Sequence, residues 1–304
     1  MIYVIGSGPA GASCAAALLS QGLEVTILDA GFQLEPERRD IVGTLSQMRA
    51  DQWEPELLQQ IRKEIPVDPK AMPEKYAYGS DFAYRRVEQL IPTSQSGVRL
   101  RGSLARGGFS NIWGASVLPY SADDISSWPI SVEDLAPHYQ EVLSWMDLSA
   151  VSDDLAAIFP LYSDRCRPLR LSTQALSLLN DLNRHKTTLN ADGISFGNSR
   201  LAVRAGTDNG DPGCAYCGLC LHGCPYRLIY NSGSTLETLL RKHPNLHYIP
   251  NVLAQKLVEQ NGEVEIRCQS LGTGELTPFH GTRVYVACGV LPTTKLILES
   301  FEAF

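Results

Sequence analysis

The chain has 304 residues, a formal net charge of −7, eight cysteines and a 44% share of hydrophobic residues. That composition belongs to a globular protein with material for a sizeable core and one or two domains. The acidic balance and the lack of any basic run argue against nucleic acid as a partner, and no apolar stretch reaches the ~20 residues of a membrane span. An apolar run already begins at Ile2, leaving no room for a signal peptide; this points to the cytoplasm, where eight cysteines suit metal or redox chemistry better than a disulfide frame.

Ile2, Tyr3, Val4 and Ile5 predict a short buried strand. Gly6, Gly8 and Gly11 follow in G-x-G-x-x-G spacing, and Ala12 to Leu19 is small and apolar, as a helix packed tightly on a sheet must be. Leu23 to Leu28 gives the next strand, and Asp29 closes it. Each part has a chemical use. Gly6 permits the tight turn, Gly8 lets the backbone approach a pyrophosphate, and Gly11 brings the helix close enough to offer its N-terminal N–H groups to phosphates. An acid about 20 residues on suits ribose hydroxyls. The unit reads as a dinucleotide site; the plainer alternative is an ordinary strand–helix–strand unit with a glycine-rich turn.

Residues 32–96 read as an insertion that Pro36, Pro55, Pro66, Pro69 and Pro73 break into short helices and loops, with helical periodicity at Leu57 to Ile65. Residues 97–120 are rich in glycine and small side chains. Ser131 with Asp134 forms a capping signal, Pro137 falls in a first helical turn, and that helix continues to about Met146. Thr173 to Asn183 and Ser234 to Arg241 predict helices, and 206–213 a loop. Leu246 to Ile249, Leu253 to Val258, Val264 to Cys268 and Arg283 to Ala287 predict strands, with Asn261-Gly262 as a hairpin turn.

Three segments together resemble the glucose–methanol–choline family of FAD-dependent oxidoreductases. The first is the glycine unit running into Leu28-Asp29-Ala30-Gly31, with Asp29 where that family usually has Glu. The second is Leu104-Ala105-Arg106-Gly107-Gly108-Phe109-Ser110-Asn111-Ile112-Trp113-Gly114, followed by Trp128-Pro129-Ile130. The third is Val284-Tyr285-Val286-Ala287-Cys288-Gly289-Val290-Leu291 and a helix to Ser300. The resemblance implies FAD held by Gly6, Gly8, Gly11 and Asp29. It implies that Arg106, Gly107, Gly108, Ser110, Asn111, Trp113 and Gly114 pass the pyrophosphate and flavin ring. Ala254 would meet the adenine through its backbone, and Gly289 would lie in the turn that returns to the nucleotide. It implies an α/β fold, a Rossmann-like parallel sheet with antiparallel crossover strands. The FAD domain would be discontinuous, over 1–31, 97–148 and 237–304, with 32–96 inserted. Residues 149–236 would form a partial cap or linker region containing a cysteine-rich loop at 212–225.

Cys214, Cys217, Cys220 and Cys224, followed by Pro225, stand in C-x2-C-x2-C-x3-C-P spacing, that of bacterial ferredoxin ligands. Gly218 and Gly223 permit the tight backbone. An iron–sulfur cluster is the leading expectation, with Cys224, a remote Cys166 or no residue as fourth ligand; three ligands would hold a three-iron cluster. A tetrahedral zinc, disulfides and a metal-free loop are the alternatives. Cys14, Cys268 and Cys288 read as small core residues, and His222 as a solvated loop histidine.

In the family resembled, substrate oxidation depends on a His paired with a second His or an Asn in a later substrate domain. No such motif follows the last helix here, so the catalytic residues are unassigned and the chain reads as a fragment, a part completed by another subunit, or a degenerate member. The expected activity is oxidation of CH–OH groups, with an alcohol or sugar as donor and a protein or quinone as electron acceptor. A flavin and iron–sulfur electron-transfer module, or a non-catalytic nucleotide-binding remnant, are the alternatives.

Overall fold

A computed structural model of the protein describes residues 1–62, 74–98, 100–206 and 212–301. Part of the periodic stretch Leu57 to Ile65, all of Pro66, Pro69 and Pro73, and most of the 206–213 loop lie outside the described residues. The elements run in chain order β1 (Ile2–Ile5), α1 (Pro9–Ser20), β2 (Val25–Leu28), α2 (Pro36–Gln47), α3 (Pro55–Ile61), α4 (Val87–Leu90), α5 (Val132–Leu143), α6 (Thr173–Arg184) and α7 (Lys186–Ala191). They continue with α8 (Ser232–Lys242), β3 (Leu246–Ile249), β4 (Val252–Gln260), β5 (Glu263–Ser270), β6 (Leu276–Gly281), β7 (Arg283–Val286) and α9 (Val290–Ser300).

Two sheets organise the fold, as the predicted α/β class requires. A four-stranded parallel sheet has the order β3-β2-β1-β7, and a three-stranded antiparallel sheet the order β4-β5-β6. In the parallel sheet, β1 sits between β2, the next strand in the chain, and β7, the last one. The central strands β1 and β2 are buried along nearly their whole length because both faces are covered, whereas β3 and β7 at the edges carry the exposed His247 and Arg283. On one face Val4, Val25 and Ile27 pack with Ala15, Leu18 and Leu19 of α1 and Leu236 of α8. On the other, Tyr3, Ile5 and Leu28 meet Ile266 and Cys268 of β5 and Leu296 of α9. Cys268 is therefore a core residue, and burial pushes its thiol up to about 12.

The residues divide into two compact units. One comprises 1–113, 218–226 and 231–304, and holds both sheets; the other comprises 114–217 and 227–230. The insertion-like segment 32–96 thus lies in the same unit as the glycine turn. The second unit carries α5, α6 and α7, none of which has a fully buried residue. Ser131 and Asp134 do form a reciprocal cap on α5, through Asp134 N–H to Ser131 Oγ at 3.2 Å and Ser131 N–H to Asp134 Oδ2 at 2.8 Å. Pro137 lies inside that helix beyond its first turn. Arg200, 3% exposed, pairs with Asp153 at 3.0 Å in the same unit.

Pro36 and Pro55 punctuate the segment 32–96 by starting the short helices α2 and α3 at the first helical position, where a missing N–H costs nothing. Strand β6 contains Pro278, which hides it from a propensity reading, yet it is an edge strand whose outer side needs no ladder donor. Among the described residues no helix is long and apolar enough to cross a membrane.

The close packing of α1 on β1 rests on absent side chains. A Cβ on Gly11 would be driven into the carbonyl oxygen of Gly6, and one on Gly6, whose φ is +99°, would stand 2.7 Å from the carbonyl oxygen of Ala287. Gly43, inside α2, has open space instead. Gly11→Ala is expected to cost about 3 kcal/mol or more, because backbone and not side chain must yield, whereas Gly43→Ala is expected to add roughly 0.5–1 kcal/mol. Urea midpoints of the two variants against the parent check both.

Candidate cofactor site

The carboxyl end of β1 is where the sheet order reverses, with β2 on one side and the late strand β7 on the other. Such a switch point opens a crevice in an α/β sheet, and ligands bind there. A cavity of about 1090 Å3 occupies it, larger than the ~300–1,000 Å3 common for small-ligand pockets. Gly6, Gly8, Asp29, Gly108, Ala254 and Gly289 all line this cavity, drawn from five separated segments. Gly8 faces it with open space where a Cβ would be, and its φ of −62° is ordinary. Two helices begin at its wall: α1, with Pro9 in its first turn, and α9, which Gly289 precedes with φ +88°. Their N-terminal N–H groups and dipoles make that wall suited to an anion.

Gly11 lies beneath Gly6 and sets the approach of α1. The second glycine motif contributes chiefly by bracing this turn. Gly107 donates its N–H to Ser7 Oγ at 2.9 Å, and Ser110 Oγ donates to the Gly107 carbonyl at 2.6 Å. Ser232, at the start of α8, donates its N–H to Ser110 Oγ at 3.0 Å, and its hydroxyl reaches the Ser7 carbonyl at 3.1 Å. Ser7, Ser110 and Ser232 are all buried. Asn111 donates to the carbonyls of Arg106 and Gly108 at 3.0 and 2.7 Å, and accepts from Asn231 Nδ2 at 2.8 Å. Asn231 caps α8. Trp113 offers its carbonyl to Lys75 Nζ at 3.3 Å, and Gly114 belongs to the second unit. Of this motif, Leu104, Ala105, Gly108 and the exposed Phe109 line the cavity, whereas Arg106, Gly107, Ser110, Asn111, Trp113 and Gly114 are not among its lining residues.

Asp29 is the buried acid of the site. Ser7 Oγ donates to its Oδ2, and so does the Tyr248 hydroxyl at 2.9 Å. Burial raises its carboxyl to about 6, against the opposing pull of these donors, of the Arg106 guanidinium and of the Ser7 backbone. Burial, and next the Asp29 carboxylate, push the Tyr248 phenol up, so it stays a donor. The Arg106 guanidinium lies 5.2 Å from the centre of the Tyr248 ring.

Sequence reasoning missed Ser7, Phe109, Asn231, Ser232 and Tyr248. The pair Asn231-Ser232 carried a legible N-cap signal, three residues before the predicted helix start at Ser234. Ser7 sits in a variable position of the glycine motif, and Tyr248 reads only as a strand aromatic.

The cysteine motif is divided: Cys214 and Cys217 belong to the second unit, Cys220 and Cys224 to the first. Tyr78 anchors the latter part, donating its hydroxyl to the Cys224 carbonyl at 3.0 Å and its N–H to the His222 carbonyl at 2.6 Å. Among the described residues no group of three or more His, Cys, Asp and Glu side chains is placed to hold a metal ion.

Comparisons with known proteins agree with this geometry. A family model described as an NAD(P)-binding Rossmann-like domain matches residues 4–34, the unit from β1 through Asp29. The chain is 24% identical to 6'''-hydroxyparomomycin C oxidase of Streptomyces lividus, in a match covering 98% of this chain and 50% of that protein. Its fold is similar to that of pyridoxine 4-oxidase from Mesorbium loti, with a TM-score of 0.51 and 13% identity over 98% of this chain and 51% of that one. The chain thus spans about half the length of the relatives it matches. A Rossmann-like nucleotide-binding unit, sequence likeness to one oxidase and a fold similar to that of another are thus what this chain shares with known proteins.

Proposed function

We propose that the chain holds FAD at the end of β1 and serves a flavin-dependent oxidoreductase acting on CH–OH groups of an alcohol or sugar. The observation that carries the reading is the convergence of Gly6, Gly8, Asp29, Gly108, Ala254 and Gly289 on one large cavity at the sheet's switch point. The residues present fit the cofactor. The open face of Gly8 and the first turns of α1 and α9 would take the pyrophosphate, Asp29 the adenosine ribose, and the backbone around Ala254 the adenine. Phe109 and Gly108 stand on the wall left for the remainder. When bound, the flavin supplies a two-electron acceptor for hydride. This chain's own part is to bind and orient the cofactor and to keep the ribose end dry. No residue is assigned as catalytic acid or base, and no electron step is routed through the cysteines.

An absorbance spectrum of protein purified without oxygen tests the reading, with iron, sulfide and zinc measured on the same sample. Flavin bands near one per chain support it; the absence of bound or bindable flavin overturns it. Iron matched by sulfide would restore a cluster at Cys214, Cys217, Cys220 and Cys224 as a separate proposal.

Two substitutions sharpen the test. Gly8→Val is expected to leave the melting temperature of the flavin-free protein nearly unchanged, since a side chain there enters open space, and to weaken FAD binding by roughly a hundredfold, on the order of 3 kcal/mol. Asp29→Asn is expected to do the opposite to the empty protein. Burial raises the folded carboxyl to about 6 from the ordinary 3.8. Its stabilising contribution is therefore complete below the lower value and is lost as pH rises through the higher one. At pH 7.5 the variant should be more stable than the parent by about 3 kcal/mol, the gap closing near pH 4, while its FAD affinity falls. Urea titrations across that pH range check the sign.

A further inference from the structure

Asp29 is bound more elaborately than ribose recognition alone requires. A carboxylate oxygen has two lone-pair sites, and both side-chain donors, Ser7 Oγ and the Tyr248 hydroxyl, use the same one, Oδ2. No described side chain donates to Oδ1, the Ser7 backbone N–H also favours the ionised carboxyl, and Asp29 lines the cavity. The two donors are themselves fixed. Ser7 Oγ accepts the Gly107 N–H at 2.9 Å, and Tyr248 is held in β3 with its backbone paired to Ile27 of β2. The Tyr248 hydroxyl also stands where a side chain at position 31 would begin, 2.6 Å from a Cβ built on Gly31. The chain has left room for this hydroxyl.

We propose that Tyr248, together with Ser7, is a positioning residue for cofactor selection: the two consume Oδ2 of Asp29 and present Oδ1 to the cavity as the acceptor for a ribose hydroxyl of FAD. The shorter arm of aspartate then suffices, because the space and the lone pairs that a longer acid would leave loose are filled by the phenol. The inference rests on the flavin reading above and deepens it.

The arrangement is sensitive to protons in a defined way. The groups facing the carboxyl are Tyr248 from β3, Arg106 from the second glycine motif, Ser7 from the first turn and Cys288 after β7; Glu237 of α8 reaches the Arg106 guanidinium at 3.9 Å. Hydrogen bonds from Ser7 and Tyr248 favour the ionised carboxyl. Removing either donor therefore raises its pKa, and the acid limb of FAD binding moves to higher pH.

The test is titration of FAD into the flavin-free full chain, followed by flavin fluorescence from pH 5 to 8.5. The parent, Tyr248→Phe, Asp29→Asn and the double variant are compared. Tyr248→Phe is expected to weaken FAD roughly tenfold at pH 7.5 and to shift the acid limb upward by about one unit. In the Asp29→Asn background it is expected to cost nothing further, since the phenol acts through the carboxylate. Ser7→Ala should move the limb in the same direction, and it carries the test if the phenylalanine variant does not fold. An unmoved limb and affinity overturn the proposal, as does an equal loss in the Asp29→Asn background, which would mark Tyr248 as mere packing. FAD binding by the parent with unchanged variants sinks the proposal alone; no FAD binding by the parent sinks the flavin reading with it.

Discussion

Everything at the site depends on how near two stretches of backbone can come. The turn after β1 must pass under the start of α1 and beside the end of β7 at once, and there is space for neither side chain. Gly6 and Gly11 are the solution, and from their contact follow the depth of α1 against the sheet, the direction of its N-terminus, and the gap between β2 and β7 in which the cavity opens. A methyl group at Gly11 would push the helix away from the strand and, with it, the N–H groups that face the cavity.

The second support is a buried knot of hydroxyls. Ser7, Ser110 and Ser232 come from three distant parts of the chain and satisfy one another and the Gly107 backbone with little solvent. Buried polar groups that are fully paired hold a loop in one arrangement, and half-paired ones would be costly. This explains why the second glycine motif is mostly turned inward. Its polar side chains fasten the loop to the first turn and to the cap of α8, which leaves Gly108 and Phe109 on the cavity wall.

The unit from β1 to Asp29 was legible from spacing because much of its constraint is local, with Gly11 answering to Gly6 five positions before it, although Gly6 itself also answers to Ala287 far along the chain. The strands β1 and β3 were legible with their bounds, β1 as a plain apolar run and β3 as a short run of Leu246, Tyr248 and Ile249 around an exposed His247. What stayed hidden was nonlocal. Tyr248 acquires its role only when β3 lies beside β2, and Ser232 only when α8 meets the turn after β1. Strand β6 went unread because it holds Pro278, whose meaning depends on its lying at a sheet edge. The cysteine spacing is a local signal of another kind: its first two cysteines belong to one compact unit and its last two to the other.

The placement of β7 beside β1 has a bearing on how the protein matures. Strand β1 emerges from the ribosome long before β7, one of its two neighbours, and β3 on the far edge also follows β2 at a long interval. Until then β1 and β2 form a two-stranded remnant with open edges, and long-range parallel pairing of this kind is slow. The cavity at the switch point has no second wall during that interval. Its completion therefore waits on a distant strand, and β1 and β2 are the part of the nascent chain most in need of chaperone cover.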